Sequence, residues 1–274
     1  VPRGVVLRTP FKAGEWDVNL AVMLLRECQL GEESDIFGYT SLLARGAVPS
    51  SRSLPSTAPD ALRHWTPDQK SLLASSPSGR KLLELEEKQG RDWLEKYGRL
   101  TDASISEESF LWAMEAVHSR AFKGDFGSGK GTNLGTIAFQ TLASLLGAKT
   151  VLDGGNDLVA LGCGVAAAIP LIVSTVLKSE GDAVLLPLID SANHLQEADS
   201  TIEFDPVGNE FVLTIGEKCL VADGSSGKTQ MLISYGVKKD EELLLNYGFL
   251  RGISDEDEGV RREKMANEFI RRNP

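Results

Sequence analysis

Apolar residues in the early part of the chain recur every three or four positions, which is the spacing of one face of an α-helix. The spacing predicts helices over residues 17–29, 67–74 and 78–97, and a further helix that runs from Ser106 into 119–122. Asp17 and Ser106 are placed as N-cap residues, whose side-chain oxygens accept hydrogen bonds from backbone N–H groups. The polar face of 78–97 is rich in Glu and Lys, and we expect it to face solvent.

Later segments alternate apolar and polar residues, which is the two-residue period of a β-strand. An extended opening at 5–7 is followed much later by predicted strands over 184–188, 210–215, 231–235 and 242–245. Gly, Asp and Asn separate these strands and are typical of turns. Because helices come early and short strands late, an α+β fold is favoured over a doubly wound parallel sheet.

One uncharged run, residues 158–177, is about as long as a membrane span, which needs roughly 20 apolar residues. Gly162, Gly164 and Pro170 interrupt this run, and alanine supplies much of its apolar character. We therefore expect a buried helical hairpin in a protein that fractionates without detergent. A membrane span is the alternative, and it predicts pelleting with membranes that resists carbonate.

The charge balance restricts the kind of partner. A formal net charge of −10 and a pI near 4.9 argue against binding nucleic acid through phosphates, because that requires clustered Lys and Arg. A protein partner is expected instead, with a basic segment as the better electrostatic match. We expect the protein itself to be a monomer.

The cysteines restrict the redox chemistry and the compartment. Cys28, Cys163 and Cys219 are far apart and odd in number, so the sequence predicts neither a disulfide framework nor a zinc site. No metal is expected. A reducing intracellular compartment follows, namely the cytoplasm, the nucleus or a plastid.

Two glycine-rich motifs suggest other chemistries. Residues 124–130 match Gly-x-x-x-x-Gly-Lys, but Gly131 follows where a phosphate loop carries Ser or Thr, and no strand precedes the motif. A surface loop explains this stretch better. Residues 161–164, Leu-Gly-Cys-Gly, resemble the turn by which Rossmann-type methyltransferases hold their cofactor, yet the chain lacks the required alternation of strands and helices. A Rossmann-type methyltransferase that uses Gly162–Gly164 therefore stays an alternative.

The most specific pattern consists of three segments in a fixed order. Residues 112–122 end in Ser-Arg-Ala-Phe, residues 186–194 contain Pro-x-x-Asp-x-x-Asn-His, and residues 241–249 contain Glu-Leu-x-x-x-Tyr-Gly-Phe. Together they resemble the SET domain, and more narrowly the branch that contains Rubisco large-subunit methyltransferase. The resemblance implies a SET fold of short curved β-sheets with a knot-like core and an inserted helical region.

The resemblance also implies a cofactor and a catalytic residue. Asn193 and His194 would hold S-adenosylmethionine, Asn193 through its side-chain amide and His194 mainly through backbone groups. Tyr247 would be the catalytic residue and would also contact the cofactor. Methyl transfer is an in-line displacement that needs positioning, and a phenol with an ordinary pKa near 10 is a poor base at neutral pH. A turn after a buried strand is the alternative explanation of Asn193 and His194.

By the same resemblance, Arg120 is assigned to the cofactor and substrate pocket, Asp190 to the substrate pocket, and Phe122 to the wall of the lysine channel. A plain ion pair that ties a helix to a strand is the alternative for Arg120 and Asp190. An aromatic residue at a helix end is also often part of a core. Tyr235 is expected to have a structural role on a preceding strand.

The resemblance divides the chain into regions. Residues 1–45 form the N-terminal part of the SET region, 46–105 an inserted helical region, 106–250 the SET core with a Gly/Ala/Leu-rich insertion at 123–178, and 251–274 the start of a C-terminal helical region. By the resemblance, we expect the Gly-x-Gly strand that the family carries near its start to lie upstream of Val1. We therefore expect the chain as given to bind S-adenosylmethionine weakly unless it is extended upstream.

The expected function is transfer of a methyl group from S-adenosylmethionine to a lysine side chain of a protein. A histidine acceptor is also possible within this branch. The alternative from another class is a SET-like module that binds a protein partner without catalysis, and label transfer to any protein in a lysate distinguishes the two.

Overall fold

The computed structural model describes residues 1–10, 15–44, 57–124, 126, 181–205, 207–222, 229–253 and 257–274. The main helices in these ranges are α1 (Trp16–Leu30), α2 (Phe37–Leu43), α3 (Pro67–Ala74), α4 (Pro77–Gly98), α5 (Glu107–Arg120) and α6 (Glu258–Arg272). A helical turn, Asp240–Glu242, continues into a π-helical turn, Leu243–Tyr247.

The strands are short and form small sheets. They are β1 (Leu7–Pro10), β2 (Phe122–Gly124), β3 (Asp182–Leu185), β4 (Asn193–His194), β5 (Ser200–Asp205), β6 (Glu210–Ile215), β7 (Leu220–Ala222) and β8 (Thr229–Ile233). One sheet has the order β1-β3-β2 with antiparallel neighbours. In the second, β8 lies between β4, which is parallel to it, and β7, which is antiparallel. Strands β5 and β6 form an antiparallel pair. The described fold is therefore α+β, as the sequence predicts.

The first core joins α1 to α5. Leu20 and Leu24 of α1 and Phe110, Met114 and Val117 of α5 are fully buried in it. Burial of each such side chain contributes about 1.5–3 kcal/mol, so this contact fixes the orientation of α5. The end of α5 then leads directly into β2 and the cavity described below.

A second core connects the C-terminal helix to the π-helical turn. Leu73 of α3, Leu82 of α4, and Met265 and Phe269 of α6 are fully buried with Leu244 of the turn. Helix α3 begins with a capping box in which Thr66 and Gln69 bond to each other's backbone N–H groups. Residues from the predicted inserted region and from the predicted C-terminal region thus support the turn that carries Tyr247.

Several predicted boundaries are confirmed. Helix α3 covers 67–74 and β6 covers 210–215 as predicted, and α4 extends one residue beyond 78–97 at each end. Ser106 is the N-cap of α5, since its hydroxyl accepts from the Ser109 N–H at 3.2 Å. The Glu and Lys side chains of α4 largely face solvent, as expected.

The predicted strand over 242–245 is wrong, because these residues lie in the helical and π-helical turns. Leu243 and Leu244 are neighbours, and both are fully buried. A strand would point them to opposite faces, whereas the turn buries both. Three leucines in a row do not distinguish these cases by period.

Asp17 is not the N-cap of α1, which is Glu15. Its carboxylate instead contacts Lys96 Nζ at 2.8 Å and His118 Nε2 at 3.3 Å. Burial by itself raises the pKa of Asp17, but the hydrogen bonds from His118 and Lys96 outweigh burial and lower the pKa below its usual range. Asp17 therefore ties α1 to α4 and α5.

Other strand predictions are partly correct. Strand β3 covers Asp182–Leu185 rather than 184–188, and β8 covers Thr229–Ile233 rather than 231–235. Strand β5 was not predicted. The uncharged run 158–177 lies outside the described residues. Within the part of the chain that the structure describes, no helix is long and apolar enough to span a membrane.

Candidate active site

A cavity of about 290 Å³ lies where α5, β2, the turn around Asp190, the end of β8 and the π-helical turn meet. Arg120, Phe122, Asp190 and Tyr247 all line it. The sequence predicted these four site residues from three separate segments, and the fold brings them together at one cavity.

The path of the chain explains how α5 delivers its residues. The helix ends at Arg120, and Ala121 takes an extended conformation with φ −72° and ψ 127°. The chain therefore enters β2 without a loop, and Phe122 pairs with Val184 of β3. Strand β3 in turn leads toward Asp190, so one sheet joins two of the predicted segments.

Asp190 is held in a buried polar network. Its carboxylate accepts a hydrogen bond from the Tyr39 hydroxyl, while Arg120 Nη1 donates to its backbone carbonyl at 3.3 Å and lies 3.9 Å from Oδ1. Burial raises the pKa of Asp190 to about 6, although Tyr39 and Arg120 oppose the shift. Burial and the neighbouring Asp190 charge raise the pKa of Tyr39. The predicted ion pair between Arg120 and Asp190 therefore lies in the wall of the cavity.

Arg120 keeps a free donor in this network. Its Nε atom is buried and has no hydrogen-bond acceptor among the described residues. An unpaired buried donor costs about 1–3 kcal/mol. The rest of the guanidinium also carries N–H donors and Arg120 lines the cavity, so the cavity wall is suited to an oxygen-bearing ligand.

Gly248 sets the position of Tyr247. It has a left-handed conformation with φ +74°, and its N–H donates to the Leu243 carbonyl at 2.9 Å. A Cβ atom at this position would lie 2.4 Å from backbone atoms of Asp60 and Ala61. Only glycine fits, because both the backbone conformation and the close approach exclude a side chain.

The two tyrosines of the cavity are neutral phenols. Burial, and then the charge of Glu242, raise the pKa of Tyr247 well above its usual range, and burial raises the pKa of Tyr235 to about 12. Their ring centroids lie 5.2 Å apart. Tyr235 also donates from its hydroxyl to the Ala192 carbonyl at 2.7 Å, so it has a structural contact although it lines the cavity.

Asn193 and His194 are not among the residues that line this cavity. Asn193 is exposed on β4, while the His194 ring stacks on Tyr235 with 4.9 Å between centroids. The Tyr235 N–H donates to His194 Nδ1 at 3.1 Å, and His194 Nε2 is buried with no partner in the described ranges. Burial lowers the pKa of His194, which favours the neutral ring. The pair therefore adjoins the cavity through Tyr235.

Other charged residues of the cavity were not predicted. Lys238 Nζ lies 2.5 Å from the Glu242 carboxylate and 5.8 Å from the centroid of the Tyr247 ring. Lys123 Nζ lies 4.2 Å from the Trp16 ring centroid, and burial, with repulsion from Lys238, lowers its pKa. The four-residue spacing of Lys238 and Glu242 is a signal that could have identified that pair.

Helix α4 contacts the π-helical turn through side chains. Gln89 Nε2 donates to Asn246 Oδ1 at 2.9 Å, and Arg63 Nη2 donates to Gln89 Oε1 at 3.0 Å. The Arg63 guanidinium also lies 4.2 Å from the Trp93 ring centroid. Asn246 lines the cavity next to Tyr247, so a helix predicted only as a solvated insertion reaches the site.

Comparison with known proteins adds no family. No protein-family model matches the chain, and no curated protein is significantly similar to it. The Gly162–Gly164 turn and most of the motif at 124–130 lie outside the described residues. Conclusions about function therefore rest on the sequence motifs and on the geometry of the cavity.

Proposed function

We propose that this protein is a methyltransferase of SET fold that uses S-adenosylmethionine to methylate a lysine side chain of a protein. One observation carries the proposal. Arg120, Phe122, Asp190 and Tyr247, which come from three motifs that resemble the SET domain, line a single cavity. The observed α+β architecture with small sheets is compatible with that fold.

The residues around the cavity fit the proposed cofactor. The guanidinium of Arg120, which lines the cavity, is suited to a carboxylate or hydroxyl, and S-adenosylmethionine offers both. Asn193 is exposed on β4, so its amide is accessible to a ligand. The cofactor would supply the methyl group on its sulfonium.

The residues of the chain would position the acceptor amine and keep it neutral. Tyr247 is protonated, so its oxygen accepts a hydrogen bond from the amine instead of removing a proton. Arg120, Lys123 and Lys238 outnumber Asp190 and Glu242, the two carboxylates that line the same cavity, and this excess of positive charge lowers the pKa of an amine that enters it. Water then removes the proton before methyl transfer.

A SET-like module that binds proteins without catalysis is the second candidate. The observation in its favour is that Asn193 and His194, the predicted cofactor pair, lie outside the cavity lining. A module of this kind would keep the acceptor cavity and lose the cofactor.

The test combines cofactor binding with label transfer. S-adenosylmethionine is titrated by calorimetry into the full-length protein, including any sequence upstream of Val1, and that protein is then incubated with methyl-labelled cofactor and a cell lysate. The proposal predicts binding, and label on lysine that is lost in Tyr247→Phe. If the cofactor binds but Tyr247→Phe does not reduce the label, Tyr247 is not the catalytic residue. If the cofactor does not bind, the protein is not a methyltransferase. Binding that depends on Gly164 but not on Asn193 supports the Rossmann-type alternative.

A further inference from the structure

Leu188 has a backbone conformation that its side chain does not favour. Its φ is +74° and its ψ is −45°, close to the classic γ-turn, which is rare and strained. Among the described residues, Leu188 and Asn209 are the non-glycine residues with positive φ. Asn tolerates that region through local hydrogen bonds, whereas Leu has no such compensation.

The side chain of Leu188 does not stabilise the fold in return. It is 74% exposed. The turn is held by its backbone, since the Asp190 N–H donates to the Leu186 carbonyl at 3.1 Å and the Ser191 N–H donates to the Leu188 carbonyl at 3.2 Å. Strained residues of this kind are held by their surroundings and occur mainly at functional sites.

Leu188 and a second exposed apolar residue belong to segments whose neighbouring residues line the cavity. Asp190, two residues after Leu188, lines the cavity, and so do Gly236 and Lys238 on either side of Val237. Val237 is 87% exposed. The two segments are in contact, because the Tyr235 hydroxyl donates to the Ala192 carbonyl at 2.7 Å.

We infer that Leu188, together with Val237, forms a preformed contact for an apolar side chain of a protein segment whose neighbouring lysine enters the cavity. The identity of the entering group rests on the proposed function, but the apolar contact does not require methyl transfer. The occupant is thus a segment in which an apolar residue lies within a few positions of a lysine. Such a contact would favour lysines that have an apolar residue nearby in the sequence. The charge of the lysine alone does not distinguish one lysine from another.

The binding experiment uses fluorescein-labelled peptides with one lysine and either Leu or Ser at each of the three flanking positions on both sides. Fluorescence polarisation measures their affinity for the full chain. Leu188→Ala and Leu188→Gly should weaken binding of the best Leu peptide about 10-fold, the effect of losing one buried leucine contact, and should leave the matching Ser peptide unchanged. Leu188→Met should retain the affinity, because Met is apolar and of similar size.

Val207→Ser is the matched control, because Val207 is also exposed but lies in the β5–β6 turn. It should leave the affinity of both peptides unchanged. Equal affinity for the Leu and Ser peptides in the wild type, or an equal loss in Leu188→Met, overturns the inference.

Thermal unfolding supplies an independent readout. Both Leu188→Gly and Leu188→Ala remove the apolar group, but only glycine relieves the backbone strain. The Tm of the Gly variant should therefore exceed that of the Ala variant by about 2 °C or more. A lower Tm for the Gly variant shows that the turn is not strained and removes the basis of the inference.

The two proposals fail in different ways. Peptides that are methylated with no dependence on Leu188 refute the apolar contact and leave the methyltransferase standing. If peptide binding depends on the flanking Leu and on Leu188 but no peptide is methylated, the apolar contact is supported. That result favours a SET-like module that binds proteins without catalysis.

Discussion

Replacing Asp190 by Asn tests the buried hydrogen-bond network in the wall of the cavity. The rise in the pKa of Asp190 from its ordinary 3.8 to about 6 corresponds to about 3 kcal/mol, at 1.36 kcal/mol for each pH unit. The carboxylate is fully buried, so solvent screens little of this effect. The amide of Asn keeps an oxygen that accepts from the Tyr39 hydroxyl.

The sign follows from proton uptake. Between pH 3.8 and about 6 the folded protein binds more protons at Asp190 than the unfolded chain does. The free energy of unfolding therefore falls as pH rises through this window, and the contribution is complete below pH 3.8. The wild type should lose about 2 kcal/mol relative to Asp190→Asn between pH 4 and pH 7, because part of the contribution is already lost at pH 4.

Urea unfolding of both proteins at pH 4 to 7 measures this difference. His118, whose pKa is lowered by burial, adds a slope of opposite sign, but it is present in both proteins and cancels. Asp17→Asn is a control whose curve should run nearly parallel to that of the wild type over this range, because the pKa of Asp17 is lowered and its stabilising contribution is lost only as pH falls below about 3.8. Parallel curves for the wild type and Asp190→Asn would refute the argument that Asp190 is ionised at a cost.

Four further substitutions test other parts of the site. Tyr247→Phe should leave the Tm unchanged and lower turnover about 100-fold or more, since one positioned hydroxyl is lost; wild-type turnover contradicts the assignment. Asn193→Ala should weaken S-adenosylmethionine binding by about 1–3 kcal/mol in calorimetry with no change in Tm, because the side chain is exposed; unchanged affinity refutes its role. Gly248→Ala should reduce the free energy of unfolding by more than about 2 kcal/mol in urea titrations, because its Cβ meets backbone at 2.4 Å; near-wild-type stability contradicts the geometry. Gln89→Ala should speed hydrogen exchange in the π-helical turn, whereas Lys88→Ala, exposed on the same helix, should not; equal exchange rates would show that Gln89 does not hold the turn.

Four of the residues that line the cavity were predicted from the sequence motifs. Arg120, Phe122, Asp190 and Tyr247 were predicted because each belongs to a motif with a recognisable order of residue types. Tyr39 was missed, although its hydroxyl contacts Asp190, because the two residues are 151 positions apart and no local pattern links them. Side-chain partners of that kind depend on how α2 packs.

The secondary structure shows the same division. The sequence by itself determined the bounds of α3, α4 and α5, because their signals are local. A Ser or Thr N-cap marks the start of each helix, and apolar residues at helical spacing mark its extent. Only the tertiary structure decided that residues 242–245 form a turn. Leu243 is fully buried, Leu244 packs into a core made by distant helices, and Gly248 closes the turn against 60–61. Local preference is weak there, so burial of both leucines outweighs it.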